Sequence, residues 1–202
     1  MPKVKIKRKS TRIDMTAMSD VTVLLLTFFM LTSTFIQKEP VMVVTPASVS
    51  EIKIPETNIL QILVDPKGHV FLSMDKPEDR VEVLKKVGTQ YGVSFSNEEL
   101  KKFRLQNSFG IPINQMKTFL ALPQEKQDEV LKEYGVPCDS TNNEFKVWIK
   151  EARSQNPDLR IAIKADQNTP YEHIKMIMNS LQELRENRYN LITSLKNLPP
   201  EI

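Results

Sequence analysis

The spacing of hydrophobic and polar residues changes character along the chain. From Val21 to Ile36 apolar residues dominate, and counted from Met15 the segment has the length of one membrane-crossing helix. Residues 37–58 carry Pro40, Pro46 and Pro55 with few large apolar side chains and read as an extended linker. Inside it, Ile52, Lys53, Ile54 and Pro55 alternate like one short strand able to add to a sheet. Leu60, Ile62 and Val64 then alternate into Asp65-Pro66-Lys67-Gly68, and the chain returns through Val70, Leu72 and Met74. That predicts a β-hairpin whose turn takes its φ from proline and its positive φ from glycine.

Pro77-Glu78-Asp79 opens a helix with Val81, Leu84 and Val87 on one buried side. Phe145, Trp148 and Ile149 mark another, stopped at Asn156-Pro157, and Ile161, Ile163 and Ala165 alternate as a strand. Tyr171, Ile174, Ile177, Met178, Leu181 and Leu184 share a helical face, and Tyr189 to Leu195 is β-rich. This strand–helix–strand order predicts parallel pairing through a right-handed crossover. Between about residues 91 and 143, helix starts at Asn97-Glu98-Glu99 and Pro123-Gln124-Glu125 and helix ends at Gly110 and Gly135 predict two or three short inserted helices. Phe103, Phe109, Met116, Phe119 and Leu120 would form a small satellite core there, serving either a docking surface or extra packing. The expected fold is α+β: a transmembrane helix at 15–36, then a two-layer domain of mixed sheet and helices at 59–196, with a tail at 197–202.

Charge adds a direction. The 202 residues are 40% hydrophobic and 26% charged, ordinary for a folded chain, with a formal charge of +3. Lys3, Lys5, Lys7, Arg8, Lys9 and Arg12 all precede the apolar run, and beyond them the charges nearly balance. A nucleic-acid groove would spread its cations over the folded part, so that class is excluded. A basic tail at 1–14 beside an apolar segment is a topology signal that keeps the N-terminus cytoplasmic and exports the rest. A cleavable leader is the competing reading, with Thr32-Ser33-Thr34 as its cleavage region.

The apolar run carries one acid. Val21 to Ile36 would span only about 24 Å, whereas a helix from Met15 reaches about 33 Å and draws Asp20 into a hydrocarbon layer of about 30 Å. Asp20 is therefore either a first-turn acid at the interface or an intramembrane carboxylate, and a carboxylate inside a span is costly unless it functions. At about 100° per residue, Thr16, Asp20, Thr27 and Thr34 fall on one stripe. Such a stripe would face protein or confined water unless the threonines bond back to their own helix.

These residues resemble a known family. MTAMSDVTVLLLTFFML, residues 15–31, is similar to the transmembrane segment of the ExbD/TolR family, in which Thr stands four residues before a single membrane Asp; here these are Thr16 and Asp20, with Ala17 where the family often has proline. SEIKIPET (residues 50–57), ILVDPKGHVFLSMD and RIAIKADQNTPYEHIKMIMNSLQELRENRYNLI resemble its linker motif, first hairpin and closing strand–helix–strand. The resemblance implies an inner-membrane subunit of a proton-driven motor, with Asp20 as proton carrier and Thr16, Thr27 and Thr34 along the path. It implies an ExbB-like pentamer enclosing two copies of this helix, a TonB-like protein as output, and a linker motif at Ile52–Pro55 that pairs with a partner or folds back. The TolR branch implies an alternative: a tethered periplasmic module gripping cell wall or an envelope partner.

Nothing else in the chain suggests an enzyme. Neither His69 nor His173 has a nucleophile or metal-ligand set near it in sequence, and both read as surface or half-buried structural residues. The five glycines form no phosphate loop, acid pairs such as Glu98-Glu99 and Asp128-Glu129 read as solvated helix charges, and the single cysteine, Cys138, reads as a small half-buried apolar residue. No cofactor or metal is expected.

Overall fold

A computed structural model describes residues 15–33, 41, 43–48, 57–139 and 142–195. The chain divides into two compact units, Met1–Gln37 and Lys38–Ile202. The described part of the first is one helix, α1 (Met15–Thr32), none of whose side chains is buried within the chain.

The second unit is built on a five-stranded sheet. Strand β2 (Ile59–Val64) and β3 (Val70–Met74) form the hairpin expected from their alternation, with Gly68 at φ +87° in the turn and the Asp65 carbonyl accepting from its N–H at 3.0 Å. The turn is further tied by Asp65, whose carboxylate accepts from the His69 backbone N–H at 2.7 Å and lies 3.0 Å from His69 Nδ1. A side chain at 68 would collide with the His173 ring, since a Cβ there would lie 2.6 Å from His173 Cγ. β5 (Arg160–Ala165) pairs parallel with β2, and β6 (Tyr189–Leu191) pairs parallel with β5 after the crossover helix α7 (Tyr171–Glu183). With the two-residue strand β4 (Ser108–Phe109) antiparallel to β3, the order is β4-β3-β2-β5-β6. Alternation puts Leu60, Ile62, Val64, Leu72, Met74, Ile161 and Ile163 on one face, all buried. Leu63 and Phe71, on the other face, are buried too.

Helices α2 (Pro77–Gln90) and α6 (Glu144–Gln155) pack on each other. Their inward residues differ in part from the expected set. In α2 Val83, Leu84 and Val87 are buried while Val81 is only half-buried, and the buried side also takes in Arg80. Burial pulls the Arg80 pKa down to about 10, against the pull of Asp75.

The insert forms three helices, α3 (Asn97–Leu105), α4 (Ile113–Ala121) and α5 (Gln124–Leu131). Its aromatic residues do not make a satellite core. Phe103 lies 5.1 Å from Phe109, and Phe109 lies 4.6 Å from Trp148 of α6 between ring centroids, so the insert shares the main core. Pro112 cannot cap α4, and the buried Glu144 of α6 supplies the missing acceptor, taking the Ile113 N–H at 2.9 Å. Gly110 and Gly135 are not helix ends. A Cβ at 110 would lie 2.3 Å from Phe71 Cδ1, and one at 135 would lie 2.8 Å from the Val70 nitrogen, so both are glycine because backbone passes close to other atoms. Helix α3 starts with a capping box in which Ser96 Oγ accepts from the Glu99 N–H and the Glu99 carboxylate accepts from the Ser96 N–H. Ser96→Ala is expected to lower the stability of this unit by about 1 kcal/mol. Chemical denaturation, read as a shifted midpoint at constant slope, measures it.

Part of the segment expected as linker lies against this domain. Val41 and Val43 pack on the core, and β1 (Ala47–Ser48) pairs parallel with β7 (Ser194–Leu195). The Val44 N–H donates to Asp166 Oδ2 at 2.8 Å, and the Val44 carbonyl accepts from the Gln167 N–H at 2.9 Å. Backbone N–H groups of Asn168 and Val44 hold the Asp166 carboxyl below its usual value. A depressed carboxylate contributes stability that is present above the unfolded-state range and is lost as pH falls through the folded value. Protection of the Val44 amide from hydrogen exchange is therefore expected to fall on acidification below about pH 4, and Asp166→Asn should remove that pH dependence.

Candidate functional site

Helix α1 supplies the only long apolar surface among the described residues. Its 18 residues rise about 27 Å, which with a few flanking residues matches a hydrocarbon layer of about 30 Å. Val21, Leu24, Leu25, Leu26, Phe28, Phe29 and Leu31 are all exposed, so no described residue covers them. The helix is long and apolar enough to cross a membrane.

Asp20 sits in the second turn of this helix. Because α1 begins at Met15, Asp20 is neither its cap nor a first-turn residue, and its carboxylate makes no hydrogen bond or ion pair with the described residues. Five residues of rise place it about 7.5 Å along the helix from the first residue. Thr16 and Thr27 share its face by helical geometry. The Thr27 hydroxyl donates to the Leu24 carbonyl at 2.9 Å, which satisfies its donor inside the helix and leaves the oxygen lone pairs free to accept. Thr22 and Thr32 bond back in the same way, at 2.8 Å to Ser19 and Phe28 carbonyls. Thr34 and the linker motif Ile52, Lys53, Ile54 and Pro55 lie outside the described residues, as do residues 1–14 and 197–202.

The folded unit has chemistry of its own. A cleft of about 1100 Å³ opens where β2, β5 and β6 begin, lined by Arg153, Arg160, Arg185 and Arg188 with Asn58 and Tyr189 among others. Sequence reasoning missed it. The signal lay in the parallel register: Ile161 pairs with Tyr189, so the arginines preceding them, Arg160 and Arg188, lie at the same end of neighbouring strands. Elsewhere the chemistry is bland. Cys138 is half-buried with its thiol 3.8 Å from Ser180 Oγ, and burial pushes its pKa up, which makes it a poor nucleophile. Among the described residues no group of three His, Cys, Asp or Glu side chains is placed to hold a metal ion.

A mixed α+β domain behind one apolar, acid-bearing helix is what the sequence resemblance implies, and comparison with known families decides the matter. The family model described as Biopolymer transport protein ExbD/TolR matches residues 7–196. The chain belongs to the ExbD/TolR family. The match runs from the basic tail to the last strand and takes in the three-helix insert. No curated protein and no solved structure matches the chain. ExbD/TolR proteins are transport-associated, non-enzymatic proteins that work in complexes with other envelope proteins. Membership, together with α1, the one candidate span among the described residues, fits a single-pass inner-membrane protein.

Proposed function

We propose that this chain is an ExbD-like, proton-motive-force-driven motor subunit in which Asp20 carries the proton. One observation supports the reading above the rest: a carboxylate stands inside an apolar, membrane-length helix with no partner among the described residues. In hydrocarbon such a group is costly, so its counterpart belongs to another subunit or to confined water. Protonated, the side chain passes apolar walls at low cost, whereas ionised it needs a wet or hydrogen-bonding surround. A cycle of proton gain and loss thus becomes a cycle of preferred helix position. Each proton crossing the full membrane releases about 2.3 kcal/mol per 100 mV, enough to bias motion between packed helices.

In this reading residues 1–14 are the cytoplasmic tail, 15–36 the span, 37–58 the linker and 59–196 the periplasmic domain. An ExbB-like pentamer encloses two copies of α1 and forms the other wall of the proton path. Thr16, Thr27 and Thr34 offer oxygen acceptors along that path, and Ile52–Pro55 belong to the segment that switches pairing. The output goes to a TonB-like protein that energises outer-membrane transport. Proton uptake into vesicles holding the assembled complex, compared between the native chain and Asp20→Asn, tests the proposal; undiminished uptake by the variant would reject it.

A second reading, a TolR-like tethered module that grips cell wall or an envelope partner, is favoured by the wide polar cleft of the folded unit. In it the domain keeps its function when Asp20 is neutralised, so the same variant separates the two.

A further inference from the structure

We infer that the arginine-lined cleft at the start of β2, β5 and β6 binds an acidic, carboxylate-bearing segment of a partner protein. The choice of cation is the first argument. Lysines outnumber arginines 20 to 8 in this chain, yet four arginines and no lysine line the cleft. A guanidinium presents a planar fork that matches a carboxylate bidentately, whereas an ammonium is a point charge, so this composition selects for shape as well as sign.

The second argument is that three of the four are unspent. Arg153 is fully engaged: it grips Glu186 through Nε at 2.7 Å and Nη2 at 2.6 Å, and Nη1 donates to the carbonyls of Pro157 and Leu159. The guanidinium groups of Arg160, Arg185 and Arg188 make no hydrogen bond or ion pair with the described residues, and with Glu186 neutralised Asp158 is the one acid left among the residues that line the cleft. Arg160 opens β5 and Arg188 immediately precedes the neighbouring parallel strand β6, where like charges repel in the absence of an anion between them.

Backbone conformation points to the same place. Asn58 at φ 58° and Arg185 at φ 61° are the two non-glycine residues with positive φ among the described residues, and both line this cleft. Arg185 follows the end of α7, a position that ordinarily takes glycine, so an arginine is held there against a local conformational cost.

The remaining lining favours a peptide. Asn187 and Asn190 each offer donors and an acceptor suited to a peptide backbone, and the Tyr189 hydroxyl adds both. One aromatic ring gives little stacking surface for sugars or bases.

The inference does not depend on proton carriage at Asp20 and is tested without a proton gradient. The full-length chain in detergent is titrated into labelled oligoglutamate of about ten residues, with oligoglutamine as the neutral control, and binding is read by fluorescence anisotropy at low and high salt. Oligoglutamate should bind at least about tenfold tighter than oligoglutamine, and Arg160→Gln/Arg188→Gln should weaken it by about tenfold or more with an unchanged melting temperature. Arg160→Lys/Arg188→Lys should recover only part of the loss. Three results would overturn the inference: equal binding of the two peptides, native affinity in either double variant, or complete displacement of oligoglutamate by equimolar inorganic tripolyphosphate, which would mark a phosphate site instead.

Discussion

Asp20→Asn is expected to abolish proton-driven transport while leaving assembly and folding intact. Asparagine has nearly the size and shape of aspartate and keeps a hydrogen-bonding carboxamide, so packing around α1 changes little. It cannot ionise, and the alternation between a charged and a neutral side chain on which the motor reading rests is gone. The folded domain is a separate compact unit and should melt as before. An ionised carboxylate within a span is costly even off its centre, so the variant complex should if anything assemble more readily. The expected readout is normal recovery of the complex with its ExbB-like partner, together with loss of proton uptake and of uptake-dependent growth to the level of a null strain. Asp20→Glu retains a titratable group one methylene further out and should keep partial activity. Full transport with asparagine would leave only a tether to be explained.

Trp148→Ala should give the largest loss of stability in the folded unit. The indole is 1% exposed and packs tilted against Phe109, which in turn contacts Phe103, so one side chain joins α6 to both the sheet and the insert. Removing a buried aromatic side chain costs about 3–5 kcal/mol, much of the 5–15 kcal/mol that holds a typical domain. For a domain of this size that corresponds to a fall in Tm of roughly 6–20 °C. Trp148→Phe should cost far less, because Nε1 of the indole has no acceptor among the described residues and no hydrogen bond is forfeited. Thermal melts followed by circular dichroism measure both, and an alanine variant melting within a degree or two of the native chain would contradict this account of the core.

What the sequence disclosed and what it hid divide along physical lines. Local rules carried the hairpin, because proline and glycine at 66 and 68 leave one economical turn, and they carried α7, because its inward residues recur at helical spacing. They misjudged α2, where the apolar count favoured Val81 and the packing buried Arg80 down to Nε and Nη1 of its guanidinium, which no spacing of apolar residues signals. Gly110 and Gly135 looked like helix ends because flexibility is the common reason for glycine; their true constraint is proximity to Phe71 and Val70, distant in sequence. The docking of residues 43–48 was illegible for the same reason, since its anchor Asp166 lies 122 residues from Val44. At the candidate site, Asp20 was conspicuous as the one charge in an apolar run. The arginine cleft was not, because its members gather only when β5 and β6 align in parallel.

Strand β4 is only two residues long, yet it occupies the flank of β3 that would otherwise present bare amide and carbonyl groups. The three-helix insert thus acts as a guard against self-association, holding a short shield in place by burying Phe109 behind it. Excising the insert to obtain a simpler domain would uncover a sticky seam and an aromatic void together, and the trimmed protein would be a candidate for precipitation rather than crystallisation.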